Sequence, residues 1–189
     1  TQTDAKGQTT CSAYDTLGRM AKRIDNYQGN VSTLLGQVSD ATNQCANDDT
    51  NVETATWIYD TAPLGSSTTD FALGKLHQTN GKDGFQETYG YDSYGRGHQV
   101  NRTIGADSYS VDTTYDALHR VDTVTYPGPS NRLQVKNIYN AIGFNVELQN
   151  AANTNSYYQA GDMDARGNIT GENLGNLVTT LRDYNLQTG

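Results

Sequence analysis

The chain has 189 residues, of which 34% are hydrophobic and 13 are Tyr, and its formal net charge is −8. This length suits one domain or a slice of a larger protein, and the many Tyr rings with the modest charge argue against a disordered chain. The acidic balance argues against nucleic acid and anionic membranes as partners, because both bind basic surfaces, and no apolar run is long enough for a membrane span.

A predicted hairpin turn is the first clear element, in the run YDTLGR at residues 14–19. Asp at the start of a type I turn accepts hydrogen bonds from the backbone N–H groups that follow, and Gly three residues later takes the positive φ that a bulged hairpin needs. A degenerate copy precedes it at Asp4 and Gly7. The spacing therefore predicts a turn that joins two antiparallel strands.

A polar segment at residues 23–56 follows and is interpreted as an insertion. Its run NDDTN at 47–51 offers oxygen ligands but lacks the Gly and the final Glu of an EF-hand loop, which favours a solvated loop over a calcium site. Cys45 lies in this segment and Cys11 before it. A single disulfide bond and two free thiols are both compatible with two cysteines.

The next copy of the turn begins at Tyr59-Asp60, but its Gly is Gly74. Residues 61–73 are therefore predicted to form an enlarged hairpin loop. From about residue 86 to 172 the copies are regular, and their Asp or Asn residues follow one another at steps of 24. Alternating Val, Thr and Tyr residues flank these turns, as at 88–91, 121–126 and 134–139, and predict half-buried antiparallel strands. Each 24-residue unit is thus expected to hold two strands and two turns.

Two positions in this region depart from the pattern. His119 stands where the motif has Gly, and we expect local strain there, although His is enriched among the non-Gly residues at positive φ. Residues 174–181 have a weak helical periodicity but lie within the repeat pattern and are predicted to be a strand. The motif residues that we treat as structural sites are Tyr14, Asp15, Gly18, Arg19, Tyr59, Asp60, Tyr91, Asp92, Gly95, Arg96, Tyr115, Asp116, His119, Arg120, Tyr139, Asn140, Gly143, Asp164 and Gly167.

The copies YDTLGR at 14–19, YDSYGR at 91–96 and YDALHR at 115–120 resemble the YDxxGR signature of the YD-repeat, or Rhs-repeat, family. Longer runs at 57–63 and 163–170 resemble stretches of bacterial Rhs proteins. Family members are large secreted or cell-surface proteins whose repeats form a spiralling β-sheet shell. In bacterial toxins that shell encloses a cytotoxic C-terminal region, and teneurin-like relatives use a similar barrel in cell-surface contact.

The resemblance implies an all-β array of antiparallel hairpins over residues 1–189, forming part of such a shell. The expected function is a structural one, to enclose or present an effector region. The expected partners are the rest of the array and that effector. The chain begins without Met and ends within a further repeat, so we expect a slice of a longer chain. The alternatives are a glycan-binding or adhesion module and a fibre subunit that self-associates through edge strands.

No enzymatic activity, metal or cofactor is predicted. The three histidines, His77, His98 and His119, occupy unequal positions in the repeat and lack the close spacing of metal ligands. No nucleophile or phosphate-binding motif is present. Most Tyr rings are expected to pack between neighbouring hairpins. Tyr157 and Tyr158 point to opposite faces of a strand, which leaves one ring exposed and makes this pair the candidate ligand contact.

Overall fold

The computed structural model describes residues 2–27, 53–60, 71–185 and 187–188, and these residues lie mainly in strands and tight turns. The strands are β1 (Gln2–Thr3), β2 (Thr9–Tyr14), β3 (Met20–Asp25), β4 (Glu53–Tyr59), β5 (Leu76–Asn80), β6 (Gln86–Tyr91), β7 (Gly97–Ile104), β8 (Asp107–Tyr115), β9 (Val121–Thr125), β10 (Gln134–Tyr139), β11 (Asn145–Asn150), β12 (Ser156–Ala160), β13 (Gly171–Leu174) and β14 (Thr179–Leu181). A short 3-10 turn at Lys82–Gly84 joins β5 to β6.

The order of the strands in the sheet is their order in the sequence. Successive strands pair antiparallel, for example Cys11 with Ile24 across β2 and β3, and Val135 with Val124 across β10 and β9. The prediction of an all-β array of antiparallel hairpins is confirmed. Strands β6, β9 and β10 lie where the alternating residues predicted them, because the period of two places one side chain on each face in turn.

The chain divides into two compact units, residues 1–110 and residues 111–189, and the boundary lies inside β8. The first unit has a small apolar core in which Cys11, Ala13, Ile24 and Tyr27 are buried. Cys11 is disulfide-bonded. The other cysteine of the sequence, Cys45, lies outside the described residues.

The second unit has no buried apolar side chain among its described residues. Its strands β9 to β11 are almost wholly half-buried, with all six residues of β11 in this class, whereas β14 is mostly exposed. A sheet of this kind is held by its backbone ladder and by side-chain pairs between neighbouring strands. Both of its faces remain available to solvent or to a covering layer.

The predicted polar insertion is described only at its two ends. Residues 23–25 belong to β3 and residues 53–56 to β4, and these strands pair with each other. The candidate calcium run at 47–51 lies outside the described residues, as do residues 61–70 of the predicted enlarged loop.

Residues 174–181 form a hairpin rather than the single strand that we predicted. The Leu174 N–H donates to Val178 O and the Leu177 N–H donates to Leu174 O, which closes a tight turn between β13 and β14. Leu177 has a φ of 68°, a conformation that is uncommon for Leu. The prediction was wrong because the residue at the left-handed position of this turn is Leu and not Gly.

Candidate functional site

The Tyr-Asp turns share one backbone arrangement, which the first regular copy illustrates. Asp15 Oδ1 accepts hydrogen bonds from the N–H groups of Leu17 (3.0 Å) and Arg19 (2.9 Å). The Asp15 N–H donates to Arg19 O, and the Gly18 N–H donates to Asp15 O. Gly18 has a φ of 78°, which a residue with a Cβ adopts at a cost. One carboxylate oxygen thus binds two backbone N–H groups of the turn, and two backbone hydrogen bonds close it.

The same arrangement recurs at Asp92, Asp116, Asn140 and Asp164. The residue three positions later has a positive φ in each of these copies, and it is Gly95, His119, Gly143 or Gly167. His119 has a φ of 65° and so takes the glycine conformation with a side chain present. The enlarged copy differs, because Asp60 itself has a φ of 63° and its Oδ1 accepts from the N–H of Gly74 at 2.5 Å.

Within each unit, turns of the repeat lie at the same ends of the strands, and we call this side of the sheet its turn edge. Because the strands are antiparallel and follow sequence order, every second connection returns to the same edge. The turns at Asp15, Asp60 and Asp92 therefore share one edge of the first unit, and those at Asp116, Asn140 and Asp164 share one edge of the second. Neighbouring turns on an edge are two strands, about 9–10 Å, apart.

Arg19 connects its own turn to the next one. Its Nε donates to Asp15 Oδ2 at 2.7 Å, and its terminal nitrogens donate to both carboxylate oxygens of Asp60 at 3.1 and 2.5 Å. The guanidinium lies 4.4 Å from the centroid of the Tyr59 ring. The Tyr59 hydroxyl donates to Met20 O at 3.0 Å. The second turn is thus held to the first by an ion pair, a cation–π contact and the hydrogen bond that the Tyr59 hydroxyl donates to Met20 O.

Two further pairs of successive turns repeat this connection. Lys75 Nζ lies 4.7 Å from the centroid of the Tyr91 ring, and the Tyr91 hydroxyl donates to Leu76 O at 2.6 Å. Lys75 Nζ also donates to Gly95 O. In the second unit the Arg120 guanidinium lies 4.0 Å from the Tyr139 centroid, and the Tyr139 hydroxyl donates to Val121 O at 2.8 Å. We refer to this series of contacts as the turn ladder.

Turns without a cation follow in the second unit. Phe144 occupies the position of Arg120 in the copy that begins at Asn140, and Met163 stands where the following copy would have Tyr. Asn168 occupies the position of Arg120 in the Asp164 copy, and its side chain donates to Asp164 Oδ2 at 2.9 Å. Tyr184 then donates to Ile169 O at 3.2 Å, and Arg166 of the Asp164 copy donates to Asn185 O at 3.4 Å, so the hydroxyl contact persists with no cation at the position of Arg120.

The electrostatics of the turn carboxylates follow from these contacts. For Asp92, desolvation raises the pKa, but the hydrogen bonds from the side chain and N–H of Arg96 and from the N–H of Tyr94 outweigh it, so the net pKa is below the usual value. The hydrogen bond from Arg19 is the largest cause of the lowered pKa of Asp60, followed by that from Gly74. The bonds to Asp60 and Asp15 in turn raise the pKa of Arg19. The contacts within the turns therefore favour the ionised forms of these side chains more than water does.

The role of the basic residue and of the Tyr hydroxyl was missed in the sequence reasoning, which treated each motif as a turn on its own. The sequence does contain a pattern that indicates the contact between successive copies. Where one copy has Arg or Lys at the position after the left-handed residue, the next copy begins with Tyr, as in Arg19 and Tyr59 or Arg120 and Tyr139. Where Phe144 stands in place of the basic residue, the next copy begins with Met163.

Of the other candidate residues, His119 lies in a turn of the ladder and the rest lie apart from it. Tyr157 is 39% exposed and its hydroxyl accepts a hydrogen bond from the Asn150 side chain, whereas Tyr158 is half-buried. His77 lies in β5, His98 in β7 and His119 in a turn. Among the described residues there is no group of three or more His, Cys, Asp or Glu side chains placed to hold a metal ion. The described part of the chain also has no helix that is long and apolar enough to cross a membrane.

Comparison with known proteins gives a match in structure but not in sequence. No family model and no curated protein matches the chain. A chain of the structure described as "Crystal Structure of TcdB2-TccC3-Cdc42" matches with a TM-score of 0.53 and 15% identity, over 87% of this chain and 8% of that one. A chain of "Crystal Structure of TcdB2-TccC3 without hypervariable C-terminal region" is less similar, with a TM-score of 0.31 and 14% identity over 75% of this chain and 8% of that one. The first match shows that this chain has a related β-shell fold, of which it spans a small part.

Proposed function

We propose that this chain is a wall segment of a YD-repeat, or Rhs-repeat, shell in a longer secreted or cell-surface protein, where it encloses or presents an effector region. The turn ladder carries the proposal. It ties three Tyr-Asp turns to the turn before them, as Arg19 does with Tyr59 and Asp60, so that neighbouring hairpins are joined along the wall. The similarity of fold to the TcdB2–TccC3 chain supports the same interpretation.

The distribution of burial supports a wall rather than a self-contained globule. The buried apolar side chains among the described residues are Cys11, Ala13, Ile24, Tyr27 and Ala72, all in the first unit. A repeat unit with so little core depends on its neighbours, because each unit buries its faces and edges only against the next. The mechanism that we propose is steric, since a paired sheet blocks access without any reacting group.

The intact mass of the native protein that contains this sequence, with sequencing of both its termini, tests the proposal. We expect a chain several times longer than 189 residues, with a C-terminal region that has no Tyr-Asp turns. Limited proteolysis of that native protein is then expected to spare the C-terminal region until the shell is unfolded. A mature chain of about this length, or an effector region cleaved as fast as a free peptide, would contradict the shell.

We propose that the chain has no enzymatic activity of its own. The turn carboxylates are engaged by backbone N–H groups and by basic side chains, as Asp92 is by Arg96, and so are not available as general bases. Assays of the 189-residue chain on acidic polysaccharides are expected to show no turnover. Turnover that Asp92→Asn abolishes would contradict this assignment.

Glycan binding is the second candidate, and the Tyr157 ring is the observation that favours it. The ring is 39% exposed, and the hydrogen bond from Asn150 holds its hydroxyl, so the ring presents a fixed apolar surface of the kind on which sugars stack. A glycan array tests this candidate, with Tyr157→Ala as the variant and Tyr126→Ala, another exposed Tyr, as the matched control. Binding that Tyr157→Ala removes and Tyr126→Ala retains would favour adhesion, and no binding would dismiss it.

A further inference from the structure

Two of the three histidines occupy the same structural position in the first unit. The register of β5 against β4 skips His77, and the register of β7 against β6 skips His98. Each is therefore the extra residue of a β-bulge, a feature that re-aims a side chain. The corresponding residues of β3 and β11 are Ala21 and Val146, so the bulge itself does not require a His. His119, in contrast, lies in a turn of the second unit.

The His98 ring lies over Gly90 of the neighbouring strand β6. A Cβ at Gly90 would lie 3.2 Å from His98 Nε2 and 3.6 Å from His98 Cε1. Gly90 also pairs directly with Gln99, so His98 and Gln99 share the Gly90 face of the sheet. Gly90 is buried, although it has no side chain of its own. The absence of a side chain at Gly90 thus leaves the space that a ring nitrogen of His98 borders.

The His77 ring belongs to the same face, on the other side of β6. Its neighbour Gln78 pairs with Thr88 across β5 and β6. Thr88 shares a face with Gly90, because side chains two residues apart in a strand point the same way. The equivalent bulge in β7 shows that the extra residue takes the side of the residue that follows it. The two histidines therefore flank β6 on one face, on strands about 9–10 Å apart.

One nitrogen of His77 has no hydrogen-bond partner. Within the part of the chain that the structure describes, Nδ1 of the half-buried His77 is shielded from solvent and makes no hydrogen bond. Buried polar atoms are paired in the large majority of cases, so this atom needs an explanation. A neutral imidazole nitrogen is also the commonest metal ligand in proteins. The unpaired Nδ1 therefore has the chemistry of an unused metal ligand.

We propose that His77 and His98 together bind one divalent transition-metal ion, such as Zn²⁺, over Gly90. Imidazole suits Zn²⁺, Ni²⁺ and Cu²⁺, and each Zn–N bond is about 2.0–2.1 Å long. An ion bound between the two rings accounts for both the unpaired nitrogen and the space over Gly90. With two protein ligands, water completes the coordination of the ion. The net charge of −8 favours the binding of a cation.

Isothermal titration calorimetry of the 189-residue chain with zinc chloride at neutral pH tests the proposal. We expect one Zn²⁺ ion per chain. His77→Gln and His98→Gln are each expected to weaken Zn²⁺ binding by at least about tenfold, since each removes one of the two ligands. His119→Asn is the matched control, because it removes the His of the second unit and Asn tolerates the left-handed conformation. It is expected to leave the dissociation constant unchanged.

Gly90→Ala distinguishes one shared site from two independent histidines. The variant keeps both ligands, but its Cβ would lie 3.2 Å from His98 Nε2 and displace the ring. We therefore expect weaker Zn²⁺ binding than in the wild type. The thermal midpoint without metal shows whether each variant is folded. Zn²⁺ is expected to raise the midpoint of the wild type and not that of His77→Gln/His98→Gln, because a ligand stabilises only the state that binds it.

A wild-type chain that binds no Zn²⁺ would overturn the proposal. So would binding that His119→Asn weakens as much as His77→Gln does, or binding that the double variant His77→Gln/His98→Gln retains in full. A folded Gly90→Ala variant that binds Zn²⁺ as tightly as the wild type would contradict the position of the ion over Gly90. The proposal does not rest on the shell, because it concerns two residues of the first unit whatever the length of the native protein.

Discussion

The turns at Asp15 and at Asn140 share one backbone and differ in what surrounds it. In both, a side-chain oxygen accepts two backbone N–H groups and a glycine follows at positive φ. The first turn adds Arg19, which reaches Tyr59 and Asp60 of the next turn. The second turn has Phe144 at that position, and its uncharged side chain cannot form an ion pair or a cation–π contact with the next turn.

This difference separates two tasks that the motif performs. The Asp or Asn and the left-handed residue form the turn, because they satisfy the backbone locally. The basic residue and the Tyr of the next copy join one turn to another. A chain can therefore keep its hairpins while it strengthens or weakens the connection between them, copy by copy.

Removal of the Tyr ring is expected to have the largest effect. Tyr139→Ala loses a half-buried ring, its cation–π contact with Arg120 and its bond to Val121 O, and we expect a loss of about 2–4 kcal/mol in the free energy of unfolding. Tyr139→Phe keeps the ring and is expected to lose about 1 kcal/mol. Urea denaturation measures both. Equal losses would show that the ring contributes nothing to the ladder.

The turn between β13 and β14 lacks an Asp or Asn at its first position and depends on close backbone packing instead. A Cβ at Gly175 would lie 2.5 Å from Ser156 O and 3.1 Å from Tyr157 Cα, so Gly175→Ala is expected to destabilise the chain by about 1–3 kcal/mol. Gly128→Ala is the control, because its nearest contact would be an ordinary 3.6 Å. Thermal unfolding of both variants checks this, and equal midpoints would contradict it.

Exchange of the turn residue sharpens the comparison between the Asp and Asn copies. Asp92→Asn keeps the oxygen that accepts the two N–H groups but loses the ion pair with Arg96, and is expected to lose about 0.5 kcal/mol. Asp92→Ala loses the acceptor as well and is expected to lose about 1–2 kcal/mol, as at helix N-caps. If Asp92→Asn were as harmful as Asp92→Ala, the charge and not the acceptor would form the turn.

Acid is expected to weaken the Asp turns more than the Asn turn. The folded pKa of Asp15, Asp60, Asp92, Asp116 and Asp164 is lowered. Their contribution to stability is therefore present above the usual value of about 3.9 and is lost as the pH falls through the lowered folded values. Amide protection factors below pH 4 are expected to fall at these turns before they fall at Asn140. A uniform fall would contradict this.

The backbone of the fold could be predicted from residue types, and the contacts between copies could not. Asp or Asn followed by Gly at the third position fixes a turn through local bonds, so Asp15 and Gly18 carry their structure in the sequence. The hydroxyl of Tyr59 reaches Met20 O across 39 positions of the chain, and that contact depends on the pairing of β3 with β4. Leu177 shows the opposite failure, since a turn formed there with Leu at the left-handed position, directly after the turn residues Gly175 and Asn176.

A double-mutant cycle between Arg120 and Tyr139 tests most directly whether one turn holds the next. The free energy of unfolding is measured for the wild type, Arg120→Gln, Tyr139→Ala and the double variant. We predict a coupling of about 0.5–1 kcal/mol between the two residues, which belong to successive turns. The matched cycle between Arg166 and Tyr139 is predicted to be additive. Additive effects for Arg120 and Tyr139 would contradict the turn ladder.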